Sequence, residues 1–480
     1  IILTIAFVTL MDGCATNPVT GKKQVALISE AQEIAMGREY DPQIVAEFGL
    51  YPDSAIQRFI NARGMEMARI SHRPNLQWTF RVLDSDVINA FAVPGGYVYF
   101  TRGILANMNN EAQFAGVLGH EIGHVTARHS VSQQTKGLLT QLGVIAAVIA
   151  NKNVAQFAEQ LSQGAQLLML SFSREAETQS DELGVAYSTQ VGYDAREMAK
   201  FFLTLKREQD QSSHARLPEF LSTHPDPGNR YERVTQLATQ VQQQNNLTNL
   251  KINREGYLRT IEGIVYGEDP RHGYIEGGYF YHPEMKFQFR HPLNWQYKNS
   301  PTSVVFSPQQ GDAVCMLTLG QGNSPQAAAE QFVQTNKIQV TESQQSTING
   351  LPAFIIAGQQ LQQDQSGRQV PAVRLLTAFI QYNNAIYIMA AASTLQSFNG
   401  YLRQFQDFYG SFSRLTDASK INIRPERITI HTVRTATTLQ QLLASQDIAA
   451  RRHEELAILN GMQLNTQLPV GTLVKLVRRM

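Results

Sequence analysis

The stretch His120-Glu121-Ile122-Gly123-His124 decides how the chain is read. On a helix of 3.6 residues per turn, histidines four positions apart lie about 40° from each other, so both imidazoles reach one ion from a single face. Glu121 then points at the open side of that ion. This is the H-E-x-x-H arrangement of zinc metalloproteases, in which the ion binds water and the glutamate takes its proton. Two core histidines satisfied by hydrogen bonds are the alternative, so the surrounding sequence has to supply the helix. Asn110 followed by Glu111 and Gln113 reads as an N-cap with an acidic first turn, and Phe114, Val117, Leu118, Ile122 and Val125 recur at helical spacing.

Catalytic zinc takes three protein ligands and keeps one position open. A third histidine six residues after the second, as in metzincins, is ruled out because that position is Ser130 and the expected glycine is Ala127. His129 is one residue off, and at about 100° per residue it points roughly 140° away from His124 on the helix; it reads as structural. A glutamate on a second helix is the other solution. Glu177 and Asp181 share one face at four-residue spacing, so Glu177 can bind zinc while Asp181 accepts the second ring N–H of a bound histidine. Glu175 and Glu182 compete on composition, but neither has a carboxylate four residues later. A solvated acidic helix face is the competing reading.

The 480 residues suffice for about three domains, and a net charge of +1 with 17% charged residues argues against a nucleic-acid binder. Ile1 to Leu10 is apolar apart from Thr4 and Thr9, too short to span a bilayer, and reads as part of a truncated secretory signal over residues 1–13. Cys14 after Gly13 resembles the bacterial lipobox, in which the thiol is lipidated, although Met11 and Asp12 depart from its commonest form. Ala15 then implies the outer membrane, with residues 14–30 as a lipidated tether. A plain secretory signal or a buried apolar segment is the alternative. Cys14 and Cys315 are the only cysteines, so no disulfide scaffold is implied.

Ala31 to Phe48 and Pro52 to Ala68 read as helices, and Trp78 to Leu83 as an alternating strand. In Asn89 to Phe100, Pro94 cannot donate to a ladder, so the segment is expected at a sheet edge or in a hairpin through Gly95-Gly96. An edge strand of Ala92 and Val93 beside a metal could hold an extended substrate by main-chain pairing. A structural hairpin is the equal reading. Leu138 to Ala150 is strongly apolar but too short to span, and is expected to be a buried helix or a lid. Asn153 to Leu170 continues helically.

The stretches NAFAVPGGYVYFTRGIL, HEIGHVTARH, SREAETQSDELG and STHPDPGNR resemble the successive motifs of the gluzincin endopeptidases that include the CAAX prenyl proteases, the HtpX heat-shock proteases, the mitochondrial OMA proteases and the periplasmic BepA-type proteases. The resemblance covers about Asn17 to Val234. It implies one zinc on His120, His124 and Glu177, with Glu121 as general base and Asp181 behind a ligand. It also implies that His224 lies near the metal, supporting the oxyanion or regulating access. Misfolded or unassembled envelope proteins are the substrates it implies.

Gln242 to Asn246 is a polar break that ends a protease domain at residues 31–245, and 246–284 reads as a connecting segment. Strands and helices over 285–415 suggest a small α+β domain without a catalytic constellation. Residues 426–480 form a β-α-α-β unit that weakly resembles LysM modules, which bind peptidoglycan. Where those usually open on Gly-Asp-Thr this chain has Ala436-Thr437-Thr438, so a structural cap is an equal reading. The expectation is an α+β chain: a mainly helical zincin-type domain with a small edge sheet, an α+β domain and a LysM-like terminus. Its function is that of a zinc endopeptidase of the periplasm anchored to the outer membrane. An assembly factor with latent proteolysis, or a cell-wall-binding protein, is the alternative.

Overall fold

A computed structural model describes residues 14–25, 27–133, 172–211, 219–224, 229–363 and 368–480. The expected signal over 1–13, the apolar stretch Leu138 to Ala150 and the helical run Asn153 to Leu170 lie outside them. The described residues fall into two units: 14–133, 172–268 and Glu426–Met480 form the first, and Asp269–Pro425 the second.

In the first unit, β1 (Cys14–Thr16) and β2 (Lys23–Val25) pair antiparallel, followed by α1 (Glu30–Phe48) and α2 (Ser54–Ala68). Ser29 and Gln32 form a capping box at the start of α1, and Asp53 caps α2 through the Ala55 and Ile56 amides. β3 (Thr79–Leu83), β4 (Ala90–Val93) and β5 (Tyr97–Thr101) make a sheet of order β3-β5-β4, with β4 at the edge and antiparallel to β5. The turn between β4 and β5 needs glycine, since Gly95 and Gly96 have φ of +86° and +99°. Next come α3 (Arg102–Asn107), the motif helix α4 (Glu111–Thr126), α5 (Arg174–Gln190), α6 (Arg196–Gln211), α7 (Glu219–Thr223), α8 (Arg230–Gln244) and α9 (Arg254–Thr260).

Every residue of α4 is buried. Its glycines permit close packing: a Cβ on Gly119 would come within 3.0 Å of Gly184 Cα, so α4 and α5 approach almost backbone to backbone.

Two sequence-based boundaries differ in the structure. Residues 246–284 are not a simple connector: α9 lies in their first half, and Tyr257, Leu258, Ile261, Ile264 and Val265 join the core of the first unit. Residues 14–30 are more than a tether, because Asn17 Nδ2 donates to Ala127 O at 3.3 Å at the end of the motif helix.

The second unit is built on a seven-stranded antiparallel sheet that includes Ile338–Ile348, Leu351–Gln363, Gln369–Tyr382 and Ala385–Thr394. Helices Pro325–Asn336 and Phe398–Gly410 pack on it. Ile338–Ile348 escapes sequence reading because nearly all of its residues are exposed, leaving no alternation to detect.

The chain then returns to the first unit. Glu426–Thr432 pairs antiparallel with Leu473–Arg479 around helices Leu439–Ser445 and His453–Leu459, the expected β-α-α-β order. This segment is not a separate body. Ile428, Leu443, Leu456 and Val474 share one apolar cluster with Phe114 and Val117 of the motif helix, and the backbone of Ile428 exchanges hydrogen bonds with Gly263 and Ile264. A β-α-α-β segment of this length has too little core of its own, and here it finds the rest in the helices of the first unit.

Candidate metal centre

Asn110 caps α4 by accepting from the Gln113 amide at 2.9 Å, and His120, Glu121 and His124 follow on the buried inner face. The Ser173 side chain caps α5, which carries Glu177 in its first turn and Asp181 one turn later. His224 comes from the residue after α7, where its amide donates to Phe220 O at 2.8 Å. Phe220 is held in turn by its own amide on Ile88 O, at 3.1 Å, and the Phe172 amide donates to Thr223 O at 3.3 Å. The short helix that precedes His224 is thus pinned from both sides. Pro225 to Gly228 lie outside the described residues.

Four donor groups converge. His120 Nε2 lies 3.0 Å from His124 Nε2 and 3.5 Å from Glu177 Oε2; His124 Nε2 lies 3.4 Å from Glu177 Oε1. His224 Nδ1 is 3.0 Å from Glu177 Oε1 and 3.3 Å from His120 Nε2. Donors bonded at 2.0–2.1 Å around a tetrahedral ion stand about 3.3–3.4 Å apart, so the set fits one zinc-sized cation. Both oxygens of Glu121 and Nε2 of His224 are buried without a hydrogen-bond partner, which a metal site with its own solvent would satisfy. His224 Nε2 faces Glu121 Oε1 at 3.6 Å.

Burial alone would raise the Glu177 carboxyl, yet His224, His124 and His120 together hold it well below the usual carboxylate range. Burial pushes Glu121 up, against the lowering effect of His224 and His120. Burial drives His124 well below an ordinary histidine. For His224, burial is outweighed by Glu177 and Glu121, and the ring is pushed up.

Asp181 Oδ1 accepts from His120 Nδ1 at 3.0 Å, which leaves Nε2 of His120 directed at the other donors. Arg230, missed in the sequence although it ends the STHPDPGNR stretch, donates to Asp181 at 2.6 Å, and Arg233 grips the same carboxylate. Against the cost of burial, Arg230 and His120 hold the Asp181 carboxyl down at about 2. Arg230 lies 4.0 Å over the Phe202 ring and 3.3 Å from Glu177 Oε2.

His129 corrects the sequence reading. The expected 140° offset assumed a continuing helix, but α4 ends at Thr126 and Arg128 has φ of +57°, which folds the chain back. His129 Nδ1 therefore lies 3.1 Å from His124 Nδ1. The edge strand with Ala92 and Val93 packs against α4, and those two side chains are buried. Cys14 lies in β1, paired with Val25.

Residues 54–238 match the family model of Peptidase family M48. The β-barrel assembly-enhancing protease of Escherichia coli K12 is 30% identical over 240 residues, covering 48% of this chain and 48% of that protein. Its counterpart in Yersinia pestis is 32% identical over 234 residues, covering 47% of each. The mitochondrial metalloendopeptidase OMA1 of Bos taurus is 27% identical over 232 residues, covering 46% of this chain and 44% of that one. The chain spans about half the length of the curated relatives it matches.

Proposed function

We propose, from the premise that residues 54–238 belong to Peptidase family M48, that the chain is a zinc-dependent endopeptidase of the bacterial envelope. One observation carries the reading: His120 Nε2, His124 Nε2 and the Glu177 carboxylate converge within 3.0–3.5 Å of one another, beside the unpartnered carboxylate of Glu121. His120, His124 and Glu177 would hold the zinc, which would supply a Lewis acid to polarise the peptide carbonyl and acidify the attacking water. Glu121 takes a proton from the attacking water and returns it to the leaving amine. Asp181 fixes the tautomer and aim of His120, and the two arginines fix Asp181. β4, the edge strand of its sheet among the described residues, is where an extended peptide would add by main-chain pairing once the buried edge opens to it, with Gly95 and Gly96 turning the chain away.

The substrates are unfolded or unassembled envelope proteins, a reading supported by the name of the β-barrel assembly-enhancing relatives. Metal analysis together with casein digestion tests the core of the proposal: wild type holds one zinc and cleaves, while Glu121→Gln holds zinc and does not. Zinc-loaded wild type that leaves casein intact would reject it.

A second reading has its own support. His224 Nδ1 stands among the ligand atoms, where a fourth protein ligand would close the position that catalysis needs open. On this reading the chain is an assembly factor whose proteolysis is latent until His224 withdraws.

Attachment to the outer membrane through Cys14 completes the proposal; among the described residues no helix is long and apolar enough to cross a membrane. Labelling of the precursor with palmitate and its loss in Cys14→Ser test the anchor. Contact with peptidoglycan through 426–480 rests on the β-α-α-β order and is tested by pull-down on purified sacculi.

A further inference from the structure

We propose that His129 is a positioning residue that sets the tautomer and orientation of His124 for metal binding; this deepens the zinc site proposed above and rests on it. The argument follows the protons. His124 Nε2 faces His120 Nε2 and Glu177, so its proton sits on Nδ1, which can only donate. The atom 3.1 Å from that proton donor is His129 Nδ1, which must then accept. His129 therefore carries its own proton on Nε2, and Nε2 lies 2.9 Å from Gln179 Oε1, an acceptor. Ser180 Oγ, 3.3 Å away, is a further neighbour of His129 Nδ1. Each donor in this chain meets an acceptor.

The path joins the two helices that hold the metal. Gln179 and Ser180 lie between Glu177 and Asp181 on α5, and His124 is on α4. His120 is tied to α5 through Asp181, and His124 through His129. The turn that delivers His129 is itself held in place. Arg128 adopts a left-handed conformation that is unfavourable outside glycine, and its guanidinium is fixed on Glu33 Oε2 at 2.9 Å and Ile28 O at 3.0 Å. Phe172 stacks on the His124 ring with centroids 4.0 Å apart, so the ring is held by a face contact as well as by its edge.

The two histidines thus have different supports: an ionised carboxylate gripped by two arginines behind His120, and a neutral imidazole behind His124. Removing a partner of this kind typically lowers metal affinity 10- to 100-fold.

The test measures zinc affinity of the full chain by chelator competition, alongside thermal melting of the metal-free protein. His129→Phe keeps a ring but removes the acceptor, and is expected to weaken zinc roughly 10- to 100-fold. His129→Asn can place Oδ1 where Nδ1 stands and is expected to restore affinity to within a few-fold of wild type. Wild-type affinity in His129→Phe, or an equal loss in His129→Asn, would overturn the assignment. Should His129→Phe not fold, Gln179→Leu at the half-buried end of the path is expected to weaken zinc severalfold, and unchanged affinity there overturns it equally. Because the readout is affinity, a wild type that binds zinc yet cleaves no protein rejects the peptidase reading while the affinity series still decides the role of His129.

Discussion

Nδ1 of His224 stands 3.0 Å from Oε1 of Glu177 and 3.3 Å from Nε2 of His120, in the same cluster as the two motif histidines and Glu177. On the latent reading a histidine there would exclude a substrate carbonyl. His224→Ala is therefore expected to speed cleavage of an unfolded substrate while zinc content stays at wild type. A fall in turnover of roughly 100-fold would instead make His224 an oxyanion donor, the scale seen when one such donor is removed.

Ligand and base separate by metal content. Glu177→Gln is expected to lose most of its zinc and Glu121→Gln to keep it, since only the first carboxylate lies within 3.5 Å of both histidine Nε2 atoms. Asp181→Asn keeps the shape but loses the charge that Arg230 and Arg233 face, and zinc is expected to weaken about 10- to 100-fold. Equal zinc in the Glu177 and Glu121 variants would move the third ligand elsewhere.

How far the sequence reaches is shown by His124 and His129. The spacing of His120, Glu121 and His124 and the cap at Asn110 are local, and the structure has the helix they imply. Glu177 is legible from its Asp181 partner four residues on, a pattern that survives because both lie within one helix. Arg230 and His129 depend on tertiary placement: Arg230 opens a separate helix, and His129 follows a left-handed Arg128 that no glycine announces. The terminal segment misleads for a different reason. Its β-α-α-β pattern is visible, but the partners of its apolar face lie far upstream in the chain.

That terminal segment has a polar anchor of its own. Lys475, fully buried, donates through Nζ to Ala106 O at 2.8 Å and Met108 O at 2.9 Å, just ahead of the cap of the motif helix. Burial pushes the ammonium well below an ordinary lysine. Lys475→Met would leave two buried carbonyls without this donor, and a net loss of about 1–3 kcal/mol is expected. Calorimetry should then show the unfolding midpoint falling by several degrees. An unchanged midpoint would mean that the apolar contacts alone hold the segment.

The pH dependence of stability should carry the mark of Glu208. This half-buried carboxyl on α6 is raised from 4.5 to about 7 by burial and by the repulsion of Glu455, with Arg207 and Lys475 acting in the opposite direction. Between those values the folded chain holds a proton that the unfolded chain has released. The associated stability is complete below about pH 4.5 and is lost as pH rises through about 7. Above that, wild type keeps a charge in a poor environment, and Glu208→Gln removes it. The variant is therefore expected to exceed wild type by roughly 1–2 kcal/mol at pH 8, after discounting for the partly exposed side chain. Near pH 4 the two should unfold at similar denaturant concentrations. Parallel curves for wild type and variant from pH 4 to pH 8 would show that Glu208 titrates as an ordinary surface carboxylate, and that its crowding with Glu455 is relieved in solution.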